Sequence, residues 1–263
     1  MRRGLFLPIF DDLADPVVLA GLAARAEHRG WDGVFLWDHV VLRPPVTAAT
    51  DPWVALAAMA TATERIEIGP MVTPLARRRP WIVARQAVAL DQLSGGRFVL
   101  GLGLGLDSSG GELSRFGEET DDRRRATMLD EGLQVLTGLL TGDTVSHHGE
   151  HYHVDDVRFL PRPARPGGMP LWLAARWPNQ RPISRALRHD GLFLIDTDDP
   201  SSLASIVERA TALGRPFDIV VQGWPGEAVD GWQAAGATWW LARFDPFTVT
   251  AATVEAAIDE GPP

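Results

Sequence analysis

Residues 63–105 read TERIEIGPMVTPLARRRPWIVARQAVALDQLSGGRFVLGLGLG, and their signals follow the order strand, loop, helix, turn, strand. Ile66, Ile68, Met71 and Val72 supply an apolar run. Pro80 marks a helix start, where its fixed φ is suitable and its missing N–H has no intrahelical partner to lose. Ser94-Gly95-Gly96 ends that helix, and Phe98 to Leu102 reads as a parallel strand buried on both faces. This strand runs into Gly103 and Gly105, where the absence of a Cβ lets a ligand approach backbone amides closely.

The same unit recurs on both sides. Arg3–Phe10 reads as a first strand, followed by a helix with Asp15 as N-cap and Pro16 at its first position. Val18, Leu22 and Ala26 mark its inner face and Gly30 closes it. Gly33–Trp37 is a second strand, and Asp51-Pro52 repeats the helix opening. After a long loop, roughly 103–125, a helix carries Leu129, Leu133, Leu136 and Leu140 on one face. Further strands read as Leu171–Ala174, Leu192–Ile195, Phe217–Val221 and Thr238–Leu241, with helices near 182–188, 201–213, 229–235 and 248–259.

Eight strands, each followed by a helical segment, match the count of a (β/α)8 barrel, and such a barrel takes about 250 residues as one domain. A doubly wound open sheet accommodates the same alternation. Val145–Leu160 interrupts the pattern and reads as a small β-hairpin insertion. With no linker or repeat along the chain, residues 1–263 are expected to form one α/β domain.

Composition excludes several chemistries. The net charge of −9 argues against a nucleic-acid partner, which calls for a basic surface. The absence of Cys excludes disulfides, thiolate metal sites and Cys nucleophiles. All 25 basic residues apart from His are Arg, so a Schiff-base lysine and a Walker P-loop are excluded too. The apolar run after Met1-Arg2-Arg3 is short, contains Pro8 and meets Asp11-Asp12, unlike a signal peptide. No stretch approaches the ~20 apolar residues of a membrane span, so a cytoplasmic location without a membrane partner is expected.

Asp38-His39 directly follows an apolar strand, which in a barrel puts both at the C-terminal face where the chemistry is kept. His exchanges protons near neutral pH; the competing reading is a structural Asp–His hydrogen bond that shapes the loop. Arg77-Arg78-Arg79, at a helix entrance on the same face, could hold a phosphate or polyanionic tail, or could pair with a local carboxylate. His147, His148, His151 and His153 suggest a metal, but they lie in the hairpin rather than at a barrel strand end, so no metal site is expected. Most of the ten Trp read as packing residues; Trp37, Trp177 and Trp224 fall at strand ends, where they could stack a flat ring.

Five stretches, in order, resemble the bacterial luciferase-like superfamily of flavin- and deazaflavin-dependent oxidoreductases. They are Gly33–His39 (GVFLWDH), Gly101–Gly105 (GLGLG), Pro170–Ala174 with Arg176-Trp177-Pro178, Phe217–Trp224 and Ala235–Trp240, together with the stretch quoted first. The resemblance implies a TIM barrel that holds a cofactor ring at its C-terminal face, with Asp38 and His39 as catalytic residues. It places a cis peptide at Met71–Val72, behind the ring. The cofactor-binding positions it implies are Trp37, Pro70, Met71, Val72, Thr73, Gly103, Gly105, Leu106, Ala174, Ala175, Arg176 and Trp177.

Two of these depart from the family pattern. Pro70 stands where many relatives have Thr, and Ala174-Ala175 where they often have Ala-Gly; the added methyl would crowd a phosphate held by backbone amides, and Arg176 could compensate. The implied activity is hydride transfer between coenzyme F420, an 8-hydroxy-5-deazaflavin, and a small-molecule organic substrate. The Arg-for-Lys bias, typical of GC-rich genomes where the deazaflavin is common among relatives, favours F420. FMN with monooxygenase chemistry and a non-catalytic flavin-binding barrel are the alternatives. The resemblance also implies a homodimer.

Overall fold

The computed structural model covers residues 1–263 and closes its main sheet at the stretch that was quoted first. The strands in chain order are β1 (Arg2–Leu7), β2 (Gly33–Leu36), β3 (Glu67–Pro70), β4 (Thr73–Pro74), β5 (Leu100–Gly103), β6 (Thr144–His148), β7 (His153–Arg158), β8 (Leu171–Arg176), β9 (Gly191–Ile195), β10 (Asp218–Gly223) and β11 (Trp239–Arg243). The helices are α1 (Pro16–His28), α2 (Pro52–Ala62), α3 (Pro80–Leu93), α4 (Asp122–Thr141), α5 (Gln180–Ala186), α6 (Ala204–Thr211), α7 (Asp230–Ala234) and α8 (Ala251–Glu260).

The main sheet runs β3-β2-β1-β11-β10-β9-β8-β5-β4, with every pair parallel. β3 and β4 are two halves of one stave, separated by the Met71–Val72 peptide, which is cis as expected. Ile68 bridges Phe98, and the Val99 N–H donates to the Ile68 carbonyl at 2.9 Å, so β3 meets the residues leading into β5 and the ring shuts. Close approach here depends on glycine: a Cβ at Gly69 would lie 1.9 Å from the Val99 carbonyl oxygen. The open-sheet alternative is thereby excluded.

Local signals account for the element boundaries. The Asp15 carboxylate accepts from the Val17 N–H at 2.8 Å, and Asp51 accepts from Trp53 and Val54, with Pro at the next position in both helices. The first strand is shorter than the expected Arg3–Phe10. It stops at Leu7 because Pro8 has no N–H for the ladder, and Phe10 instead bridges Ala49.

Two cores result. Alternate barrel residues point inward as Phe6, Phe35, Met71, Val99, Trp172, Phe193, Val220, Trp239 and Leu241, and the other set packs against the helices. Glycines on neighbouring strands make room for the inner aromatics: a Cβ at Gly191 would lie 2.4 Å from the Trp172 ring and one at Gly33 2.9 Å from Trp239. Phe35 and Trp239 then meet edge to face, with centroids 5.6 Å apart.

β6 and β7 form an antiparallel hairpin separate from the barrel sheet, as the 145–160 pattern predicts. Glu131 of α4 holds it, accepting from the His151 and Tyr152 N–H groups at 2.9 and 2.6 Å, with His147 Nε2 at 3.0 Å. His148 and His153 face one another across the hairpin, Nδ1 to Nδ1 2.9 Å, and no cluster of three or more His, Cys, Asp or Glu side chains with metal-site geometry occurs. No helix is long and apolar enough to cross a membrane.

Candidate functional site

The C-terminal ends of the barrel staves surround an apolar floor. Trp37, Val72, Ala174 and Ile195 are the partly buried side chains lying over the inner core, each the next inward position on its stave. Trp37 packs against Phe6 with centroids 5.4 Å apart, and its Nε1 is buried without a hydrogen-bond partner. Gly103 is buried beneath the Val72 side chain, which a Cβ there would meet at 2.5 Å. Gly105 turns the chain away with φ +79°, a conformation that L side chains rarely adopt.

Beside this floor lies a buried charge network. Asp38 is 2% exposed. Its Oδ2 accepts from Trp53 Nε1 at 3.0 Å and from the Thr73 hydroxyl at 2.6 Å, and its Oδ1 accepts from Arg77 Nη2 at 2.7 Å. Arg78 Nη2 adds a contact at 3.1 Å, its guanidinium lying 5.5 Å over the Trp53 ring. Four donors thus surround one carboxylate, which leaves no lone pair directed at a ligand. Arg77 and Arg78 are correspondingly committed to Asp38, so of the three arginines only the exposed Arg79 remains for a tail.

Arg77 also reaches Glu112, its Nη1 lying 3.0 Å from Oε1 as an ion pair outside hydrogen-bond geometry. The other Glu112 oxygen lies 3.0 Å from His39 Nδ1 and accepts from the Val40 N–H at 3.2 Å. Glu112 is fully buried, whereas the His39 side chain is 20% exposed. A carboxylate at Nδ1 keeps the proton there, so the basic nitrogen is Nε2, which makes no hydrogen bond within the chain.

The loop after β5 delivers Glu112. Asp107 Oδ1 accepts from the N–H groups of Leu113 and Ser114 at 2.8 and 2.9 Å, which turns the chain inward. The Ser114 N–H and hydroxyl, then the Leu113 N–H, hold the Asp107 carboxyl below its usual range. The Arg43 N–H donates to the Ser109 carbonyl at 2.8 Å, tying this loop to the one that follows His39.

The other expected positions divide. Met71 belongs to the inner core and Thr73 is fully buried on Asp38, so neither presents a side chain to the mouth. Pro70 is buried, its carbonyl oxygen 2.2 Å from where a Gly101 Cβ would stand. Leu106 is exposed at the rim. The Ala175 side chain faces the outer core, so its methyl points away from the mouth and the crowding expected from it does not arise. Arg176 is half exposed and pairs with Asp196. Trp177 leads into a cis proline and packs on the outer core rather than the floor.

Sequence reading missed three participants. Glu112 lies in a loop without periodicity, where nothing signals inward direction. Gln222 and Arg243 were legible in principle: Val220 and Gln222 on β10, and Trp239, Leu241 and Arg243 on β11, continue the inward alternation past the expected strand ends.

Known proteins share parts of this sequence and the fold. An F420-dependent glucose-6-phosphate dehydrogenase of Nakamurella multipartita is 34% identical over 169 residues, 62% of this chain and 48% of that one. The 4-hydroxyprotoasukamycin monooxygenase of Streptomyces nodosus subsp. asukaensis is 39% identical over 123 residues, 46% of this chain and 32% of that one. The chain thus spans about half or less of the length of these curated relatives. Among solved structures, the coenzyme F420-dependent tetrahydromethanopterin reductase of Methanopyrus kandleri superposes with a TM-score of 0.78 at 16% identity, covering 99% of this chain and 98% of that one, a likeness of fold. Residues 1–225 match the family described as luciferase-like monooxygenase, and the chain belongs to that family.

Proposed function

We propose that the barrel mouth binds coenzyme F420 and that the chain is an oxidoreductase transferring a hydride between it and a small organic molecule. The observation that carries this reading is the His39–Glu112 pair beside an apolar floor: a proton-handling group next to a surface suited to a flat ring. The residues fit such a group. Val72, Trp37 and Ala174 present apolar surface, and glycine at 103 lets the Val72 side chain settle against the β5 backbone. Backbone amides near Gly105 and the partly exposed Arg176 are the donors available to its anionic chain.

When bound, F420 supplies a two-electron hydride carrier. The chain's part is to orient the ring on the floor and to manage the substrate proton. His39 accepts that proton at Nε2 when an alcohol is oxidised and returns it in the reverse direction, while Glu112 stabilises the imidazolium that forms. Arg77 holds Glu112 in position. Asp38 acts through Arg77, Arg78 and Thr73 as a positioning residue.

FMN with monooxygenase chemistry is the second reading, favoured by the 39% identity to a monooxygenase. Calorimetric titration of the protein with F420 and with FMN in one buffer separates the two. Tighter binding of F420 supports the proposal, and FMN binding equally well or better overturns it. The homodimer implied by the family resemblance belongs to the same proposal and is read by sedimentation equilibrium.

A further inference from the structure

Opposite the His39 side, a cleft of about 480 Å³ opens between the loops that follow β9 and β10. Gln222 and Arg243 line it from the stave ends, Trp224 from one wall, and Asp198 and Glu227 from the rim. The Arg243 guanidinium stacks 4.4 Å from the Trp224 ring centroid, and its Nε is buried without a hydrogen-bond partner. Its lack of a carboxylate partner sets it apart from the other arginines at the mouth, where Arg77 and Arg78 pair with Asp38 and Arg176 with Asp196. Although two carboxylates line the same cleft, Arg243 forms an ion pair with neither. Glu227 is instead turned to its own loop, where one oxygen accepts from the Trp224 N–H at 2.9 Å.

We infer that this cleft is the substrate's recognition site and that it takes a small molecule with a single carboxylate on a flat apolar body. The inference rests on the mouth being the reaction site as proposed above. A guanidinium without a carboxylate partner, its Nε buried, is a fork for an oxyanion, and the Gln222 amide adds a neutral donor beside it. Trp224, 41% exposed, offers a face for a conjugated or aromatic group. The rim acids decide the charge of the anion. The cleft holds one guanidinium and two carboxylates, so every added negative charge meets repulsion, and a monoanion held by Arg243 is tolerated better than a phosphate monoester with its second charge.

The test is calorimetric titration of the F420-loaded protein with benzoate and with phenyl phosphate, probes that share the ring and differ in the anion. Benzoate is expected to bind at least about tenfold more tightly than phenyl phosphate. Arg243→Met is expected to weaken benzoate by about tenfold or more while F420 affinity stays within about threefold of the parent. Trp224→Ala, which removes a half-exposed side chain, is expected to weaken benzoate as well. Equal or tighter binding of phenyl phosphate overturns the inference, as does benzoate binding that is undetectable or unchanged in both variants. A large loss of F420 affinity in Arg243→Met assigns the cleft to the cofactor and overturns it too. If the parent protein binds no F420 but holds benzoate through Arg243, the proposed function fails and the cleft assignment stands.

Discussion

His39 and Glu112 lie 73 positions apart in the chain, yet Nδ1 of one stands 3.0 Å from Oε2 of the other, and the carboxylate is fully buried. On the proposed function, that contact leaves Nε2 as the nitrogen that handles the substrate proton. It also predicts separable effects. His39→Ala should lower turnover with F420 by about 100-fold or more, the usual range for a general acid–base group, with only a small change in melting temperature because the side chain is partly exposed. Steady-state kinetics beside thermal unfolding reads both. Equal proportional losses of activity and stability would return His39 to a purely structural role.

Asp38 should behave in the opposite way. Asp38→Ala leaves the Arg77 guanidinium, 7% exposed, with Glu112 as its one remaining carboxylate, and frees Arg78, 22% exposed. Removing one partner of a buried ion pair costs about 3–5 kcal/mol, so denaturant unfolding should show a loss of that order. Asp38→Asn keeps the shape but not the charge and should fall between. Full stability in Asp38→Ala, with activity abolished, would mean that Asp38 acts directly on substrate or cofactor.

The floor can be tested at one atom. The Cβ of Gly103→Ala would stand 2.5 Å from the Val72 side chain and force it to move. Cofactor affinity is expected to fall by about tenfold, with a smaller effect on melting temperature. Unchanged affinity would place the ring away from the β4–β5 side of the mouth.

The hairpin should loosen in acid. Burial alone would raise the Glu131 carboxyl, but the Tyr152 N–H, His147 and the His151 N–H outweigh it, and the group lies below its usual range. A depressed folded value means that its contribution is present above the unfolded carboxylate pKa and is lost as pH falls through the folded one. The melting temperature of the parent should therefore approach that of Glu131→Gln as pH drops below the ordinary carboxylate range, and the two should differ by a constant amount at neutral pH. A gap that persists in acid would contradict this.

Stave by stave, much of the barrel was legible. Asp15-Pro16, Asp51-Pro52 and Pro80 each open a helix where they stand, and the strand at Gly33–Leu36 ends where Asp38-His39 was expected to enter the mouth. These features are local: a cap, a missing N–H or an unbroken apolar run acts within a turn or two of chain. Arg77 and Arg78 were not legible in that sense. Their run of charge looks the same whether it faces solvent, a phosphate or a carboxylate, and only the approach of β2 to the β4–α3 connection gives them to Asp38.

By itself, the sequence determined the alternation of strands and helices, the absence of thiol and amine chemistry, and the position of Asp38-His39 just beyond a buried strand. Tertiary structure alone decided which groups are free. Closure of the ring at Ile68 and Phe98 brings the stave ends to one mouth, and the path of the loop after β5 sets Glu112 against His39. The same closure places Ala175 outward and Arg243 inward, because alternation along a strand gives a residue its face only once the sheet has an inside. The physical reason is range. Caps and periodicity act between neighbours, whereas the pairing of a buried charge depends on every carboxylate and guanidinium that folding brings within a few ångströms.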